Sequence, residues 1–422
     1  MTILVLGAGP SGLAAAHAAS QNGQEVALVD ENFEPGGQIW RGGPVQWRDQ
    51  RAHRLWQDLL VRPHLEFIGP ARAISLVAPQ ELLLETASGP RTLRWQRAII
   101  CSGARELLLP FPGWTLSRVT GAGGLQALAK GGMPLDGKRV VVAGTGPLLL
   151  AVAHTVVKNG GTVVAIVEQR STAELARFFG QLLLSHRGKV WQAMQLMTAL
   201  RGIPYLHGAT VTEACGEDRV RSVLVSHNGA QRELECDFLA CGYGLVPNLE
   251  AAALLGCATH AGSVVVDQQQ RTSNEHVWAA GESTGIGGVD KALAEGRIAG
   301  LCATGQLPTA SELRARTKAR AFGTLLARSF APLPALRALC RPSTLVCRCE
   351  DVSAAQLAVH ANWRSAKLQT RAGMGPCQGR VCGAACEFLF GWEAPGQRVP
   401  IYPTTAATLA ARAGTTTTEE KQ

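Results

Sequence analysis

The sequence predicts an α/β protein in which one strand–turn–helix–strand unit occurs twice and a small cysteine-rich segment follows. Three observations carry this. "TILVLGAGPSGLAAAHAASQNGQEVALVD" (residues 2–30) and "KRVVVAGTGPLLLAVAHTVVKNGGTVVAIVE" (138–168) share an apolar strand, a glycine-rich turn, an Ala- or Leu-rich helix and a second strand ending in an acid. Five of the 12 cysteines lie between Cys347 and Cys386. The chain of 422 residues is long enough for two or three domains, and 46% hydrophobic against 17% charged residues suits a packed core.

In the first unit each glycine has a physical role. Gly7 allows the tight turn, Gly9 lets backbone approach a pyrophosphate, and Gly12 lets helix and strand pack closely. The helix N-terminus attracts phosphate charge, and Asp30 is placed to accept hydrogen bonds from ribose hydroxyls. The unit reads as a Rossmann-like dinucleotide site.

In the second unit Gly144, Gly146 and Glu168 repeat the pattern, but Leu149 stands where the third glycine belongs. Its side chain should push the helix from the strand or fill the space a cofactor needs. The fold of this module is expected to survive with weakened nucleotide binding. Any occupant would be NAD or an adenine nucleotide rather than NADP, since no arginine pair suited to a 2′-phosphate follows Glu168 closely.

Cys347-x-Cys349 on an extended backbone would point both sulfurs to one side, and Cys377-x4-Cys382 would close a glycine-rich loop around another pair. Four thiolates suit zinc or a 2Fe-2S cluster. The spacing lacks the paired C-x-x-C knuckles usual for zinc, so the cluster is favoured. Gly373, Gly375, Gly379 and Gly383 would free backbone N–H groups for the sulfurs, Arg348, Arg371 and Arg380 could offset the cluster's charge, and Cys386 reads as core.

Other classes are disfavoured. A net charge of +9 would suit nucleic acid, but the basic residues are scattered with no aromatic-interleaved patch. The first residues run straight into a strand without a secretory signal pattern, and no apolar run reaches the roughly 18 residues of a membrane span. A cytoplasmic location is expected, with peripheral membrane association only through a larger complex, and twelve cysteines there are thiols or ligands before they are disulfides. No histidine or carboxylate motif names a catalytic acid or base.

Further motifs bear a resemblance. "ENFEPGGQIWR", with Glu31, Gly37 and Gln38, resembles the FAD-binding segment of two-domain flavoproteins of the thioredoxin and glutathione reductase group. "RAIICSGAREL", with Ser102 and Gly103, resembles their strand-end turn near the domain crossover. "HVWAAGESTGIGGVDKALAEGRIAG" resembles their second FAD motif, with Gly281, Gly288 and Glu282 where Asp is usual. The redox cysteine pair of the disulfide reductases is missing, which removes disulfide exchange. Taken with "CRCEDVS" and "SAKLQTRAGMGPCQGRVCG", nearly the whole chain resembles the family that joins the B subunit of hydrogen cyanide synthase, the A subunit of opine dehydrogenases and the α subunit of D-hydroxyproline dehydrogenase.

That resemblance implies an oxidoreductase acting on CH–NH donors as part of a multi-subunit complex. FAD and 2Fe-2S on this chain would carry electrons from a D-amino-acid-oxidase-type flavoprotein partner, with a small ferredoxin-like subunit as a further candidate partner. Substrates of the cis-4-hydroxy-D-proline, opine or glycine class are implied; a self-sufficient NAD(P)H-dependent ferredoxin-type reductase is the alternative, and it needs the second module intact. The implied organisation is an FAD domain from 1–118 and 246–310, a degenerate nucleotide domain over 119–245, a linker helix region over 311–341, a BFD-like 2Fe-2S domain over 342–395 and a tail over 396–422 with a polar, disordered end.

Overall fold

The computed structural model describes residues 1–416 except Asn22, Ala394 and Pro395, with side chains up to Ala411. The expected disordered end falls on residues 417–422, outside the described residues. In chain order the principal elements are β1 (Thr2–Leu6), α1 (Pro10–Ser20), β2 (Glu25–Val29), α2 (Gln50–Leu60), β3 (Leu65–Ile68), β4 (Arg97–Ile100), β5 (Val119–Gly121), α3 (Ala122–Lys130), β6 (Arg139–Gly144), α4 (Leu148–Lys158), β7 (Thr162–Glu168), α5 (Thr172–Ser185), α6 (Arg187–Ala199), β8 (Tyr205–His207), β9 (Phe238–Gly242), β10 (Val277–Ala279), α7 (Val289–Ala303) and α8 (Ala310–Ser329). They are followed by β11 (Leu345–Cys347), β12 (Val352–Ser353), α9 (Trp363–Thr370), α10 (Cys382–Phe390) and α11 (Ala406–Thr416).

The chain divides into two compact units. Unit 1 comprises residues 1–105, 246–324 and 396–422; unit 2 comprises 106–245 and 325–395.

Unit 1 contains a parallel sheet of order β10-β4-β1-β2-β3. Ile3, Leu4, Val5, Ile99 and Ile100 are fully buried in it. Such near-continuous apolar runs are what a parallel sheet covered on both faces requires. An antiparallel sheet of Ala71–Ala78, Glu81–Thr86 and Gly89–Arg94 completes the architecture. α7 lies against α1 with almost no space between their backbones: a Cβ on Gly296 would come within 2.1 Å of the Ser11 carbonyl oxygen, and one on Gly300 within 2.3 Å of that of Ala15. The i, i+4 spacing puts both glycines on one helix face. The C-terminal segment belongs to this unit. Thr404, Thr405 and Thr408 hydrogen-bond Glu85 Oε1 at the start of α11.

Unit 2 repeats the plan, with a parallel sheet of order β8-β7-β6-β9-β5 and an antiparallel sheet of Ala209–Cys215, Ser222–His227 and Ala230–Glu235. Its cysteine-bearing part forms a separate small core of Val346, Leu357, Trp363, Ala366, Ala385 and Cys386. Among the described residues no helix is long and apolar enough to cross a membrane.

Candidate functional site

In unit 1 the sequence-distant glycine motifs converge. Gly7 takes φ +104°, and a Cβ there would lie 2.3 Å from the Cys101 carbonyl oxygen at the end of β4. A Cβ on Gly12 would lie 1.7 Å from Gly7 O, so helix and turn meet backbone to backbone and no larger residue fits. Gly36 donates to Ala8 O at 2.8 Å, and a Cβ on Gly37 would stand 2.9 Å from Gly9 Cα. Gly281, at φ +81°, is pressed against the Ser11 side chain in the first turn of α1.

What remains open is as informative as what is closed. The nearest heavy atom to a Cβ built on Gly9 is 3.9 Å away, and one on Gly103 or Gly288 would meet nothing within 4 Å. The first N–H groups of α1 have no intrahelical acceptor, so the turn offers donors beside accessible space. This cradle fits the pyrophosphate of a dinucleotide.

Asp30, 8% exposed, accepts from Ala8 N at 2.6 Å and from Asn32 N and Nδ2 at 2.8 and 2.7 Å. It is thereby fixed at the end of β2. Glu31 is solvent-facing beside Arg72 at 3.5 Å, and Gln38, also exposed, accepts from Arg41. Ser102 Oγ donates to Asn248 O, while Asn248 donates to the carbonyls of Ser102 and Gly103. Arg105 holds Asn248 Oδ1 and the buried Glu250. Asn248 and Arg105 carry no motif signal in the sequence because they act through a turn 146 residues away from Ser102.

Glu282 is turned along its own loop toward the start of α7. Its side chain reaches back to the N–H groups of Gly287 at 3.2 Å and Gly288 at 2.8 Å, just before α7, and burial pushes its carboxyl above the usual range. The extra methylene relative to Asp allows that reach. A network missed by motif reading lies beneath it: Lys291 Nζ bonds Gly281 O, Thr284 Oγ1 and Glu295 Oε2, and Glu295 also accepts from Gly281 N and Arg320. Lys291 is 4% exposed and Glu295 fully buried. Burial depresses the Lys291 pKa, while the adjacent carboxylate works against that shift.

In the second module Gly144, Gly146 and Glu168 also come together, on different terms. α4 starts at Leu148 after Pro147, whereas α1 starts at Pro10 directly after Gly9, one residue earlier in the motif. Glu168 is fully buried, accepts from Gly146 N at 2.7 Å and Arg170 N at 3.0 Å, and has its pKa raised by burial. Leu149 is completely buried under the turn. A Cβ on Gly146 would stand 3.1 Å from Cγ of Phe330.

The four cysteines form two pairs. Cys349 Sγ and Cys377 Sγ are 3.6 Å apart, and Cys347 is hydrogen-bonded to Cys382. Hydrogen bonding from Cys382, with help from the N–H groups of Gly373, Cys349 and Glu350, lowers the Cys347 pKa to about 5 despite its burial. The extended path expected through Cys347-x-Cys349 is not kept: β11 ends at Cys347 and the chain turns, with Asp351 at φ +50°, to return as β12. The turn splits the C-x-C unit between the two pairs. A Cβ on Gly375 would come within 2.4 Å of Cys349 Cβ, so this approach needs glycine. Each arginine has a partner of its own: Arg371 bonds Glu350, Arg348 lies over the Trp114 ring, and Arg380 donates to the Cys377 carbonyl. Among the described residues no group of three or more His, Cys, Asp or Glu has the arrangement that holds a single metal ion. Zinc and a 2Fe-2S cluster can each be held by four thiolates, and these two thiol pairs supply that donor type.

Among the described residues no cysteine stands ready for disulfide exchange at the turn of unit 1. Cys101 is buried, its thiol is pushed up to about 12 by burial, and it has no disulfide partner.

Comparison with known proteins agrees with this geometry. The pyridine nucleotide-disulphide oxidoreductase family model matches residues 1–296. The A subunit of opine oxidase from Rhizobium meliloti (strain 1021) is 30% identical, covering 92% of this chain and 91% of that protein. HcnB, a hydrogen cyanide synthase subunit of Pseudomonas protegens, is 28% identical, covering 91% and 90%. Among solved structures, L-proline dehydrogenase from P. horikoshii has a TM-score of 0.67 at 16% identity, covering 97% of this chain and 79% of that one. The chain belongs to the pyridine nucleotide-disulphide oxidoreductases, within the family of HcnB and the opine oxidase A subunit, and is an oxidoreductase of an FAD-binding fold.

Proposed function

We propose that this member of the family is the FAD- and 2Fe-2S-containing electron-transfer subunit of a heteromeric dehydrogenase for secondary amino or imino acids. The cis-4-hydroxy-D-proline, opine and glycine classes are the candidate substrates. The amine is oxidised in a partner flavoprotein of the D-amino-acid-oxidase type, and a small ferredoxin-like subunit is a candidate third component.

The observation that carries this reading is the coexistence of an open dinucleotide cradle at Gly9, Gly103 and Gly288 with two close thiol pairs and, among the described residues, with no redox cysteine pair at the cradle. The related chains are themselves named as subunits. FAD would be held by the turn from Gly7 to Gly12, by Asp30 and by the segment from Gly281 to Gly288; Cys347, Cys349, Cys377 and Cys382 would hold the cluster. When bound, FAD supplies two-electron and the cluster one-electron exchange. The chain's own residues bind and orient: Asp30 receives the ribose, Lys291 and Glu295 hold the 281–288 loop in shape, and N–H groups from Gly373 and Glu350 stabilise thiolate at Cys347. No residue is assigned as a catalytic base.

Anaerobic purification followed by flavin, iron and acid-labile sulfide analysis tests this directly. FAD together with equal iron and sulfide is expected, as is flavin reduction by a cyclic secondary amino acid or an opine only when the partner flavoprotein is added. A metal-free or zinc-only chain would refute the cluster, and amine-dependent reduction of the isolated chain would refute the division of labour.

A further inference from the structure

The second module looks like a nucleotide site in sequence, yet in the fold its nucleotide-facing groups are spent on the chain itself. The Gly146 N–H, which a pyrophosphate would need, donates to Glu168. The face of Gly146 is covered by Phe330, whose ring packs edge-on against Phe178 with centroids 4.7 Å apart at 73°. The two residues after the acid, where an adenosine ribose would be read, clamp the same segment. Gln169 donates to Ala331 O at 3.3 Å and accepts from Leu333 N at 3.2 Å, and the Arg170 guanidinium also donates to Ala331 O. Gln169 is 4% exposed and Arg170 9%.

This is a two-point backbone seat with an aromatic plug. An aromatic side chain has no donor for a phosphate and removes the water that would otherwise solvate it, so anion binding beside Phe330 is opposed twice. The seated segment, residues 330–333, runs toward Cys347 within the same unit, and fixing it also fixes where the cysteine-bearing part begins. Nothing in "LLARSFAPLPALRALC" marks it locally as a nucleotide-site occupant.

We propose that the second module has exchanged its nucleotide for the 330–333 segment, and that Phe330 is the residue that excludes nicotinamide and adenine nucleotides from it. Leu149, fully buried with Cδ2 within 3.3 Å of a Cβ on Gly242, supports the exclusion from beneath the turn. Given the electron-transfer function proposed for the chain, on which this point rests, the exclusion leaves the flavin dependent on electrons from a partner protein rather than from a diffusing nicotinamide.

The test is calorimetric titration of the full-length, flavin-loaded chain with ADP and with NADH. Wild type is expected to show no saturation up to about 1 mM. Phe330→Ala should bind ADP at least tenfold more tightly than wild type. Gln169→Ala, which removes two of the three hydrogen bonds to the segment while leaving Arg170 and the aromatic pair in place, should fall between the two and serves if Phe330→Ala does not fold. Saturable binding of either nucleotide to wild type well below that concentration overturns the proposal, as do folded, flavin-retaining variants that bind no better than wild type. Flavin content is read on each sample. A wild-type chain that excludes ADP but carries no flavin sinks the functional reading and leaves the exclusion standing, whereas a flavin-loaded wild type that binds ADP does the reverse.

Discussion

The two Rossmann-like modules start from nearly the same sequence pattern and end in opposite states. In the first, a glycine at position 12 lets α1 touch the turn, the helix starts directly after Gly9, and the space over Gly9 is open. In the second, Leu149 replaces that glycine, the helix starts one residue later, and Phe330 stands over Gly146. Both acids are held by backbone donors near the turn. The strand pattern does not separate the two turns. The N–H that the acid takes, Ala8 in the first and Gly146 in the second, the helix start and what lies over the second glycine do.

Gly12 is where this contrast is most exposed to attack. Gly12→Ala puts a methyl group 1.7 Å from Gly7 O, so purified protein is expected to lose its flavin entirely, read as loss of the visible flavin band. The opposite change in the second module, Leu149→Ala, should leave flavin content unchanged. A flavin-loaded Gly12→Ala chain would mean that the first turn is not the cofactor seat.

Next in size is the buried charge network of Lys291, Glu295 and Arg320. Glu295→Leu leaves Lys291 buried beside Arg320 without its carboxylate and should cost about 3–5 kcal/mol in chemical denaturation. Restoring neutrality with Lys291→Met in the same chain should recover part of that loss.

Leu149→Ala empties a fully buried site and should cost about 2–5 kcal/mol with no change in the flavin spectrum. This separates Leu149 as a packing residue from Gly12 as a cofactor determinant. The smallest effect is expected at Ser171, which caps α5 in a capping box with Glu174. Ser171→Ala should cost about 1 kcal/mol without altering flavin or iron.

Much of the contrast between the modules is legible in the sequence, and the reasons legibility stops where it does are physical. Gly7, Gly12 and Asp30 are readable because a tight turn, a close helix and a fixed acid each demand a residue type at a set spacing. The damage at Leu149 is readable for the same reason. Phe330 is not, since it reaches Gly146 from 184 residues away and its own surroundings resemble any helix end. Lys291 and Glu295 lie at i and i+4 on a helix, a spacing that usually marks a solvated pair; here α7 packs against α1 and Arg320 reaches Glu295, and both are buried. The split of Cys347 and Cys349 between two pairs depends on a hairpin turn with Asp351 at positive φ, which alternation arguments do not foresee. At the other end, Glu85 gathers three threonine hydroxyls before α11, a long-range cap hidden in a polar segment.

Anaerobic addition of NADH to the purified, flavin-loaded chain tests the contrast between the modules most directly. The flavin band is expected to persist through many turnovers' worth of NADH and to bleach at once with dithionite. Rapid bleaching by stoichiometric NADH would contradict this, because a nicotinamide would then have the productive place that Phe330 denies it.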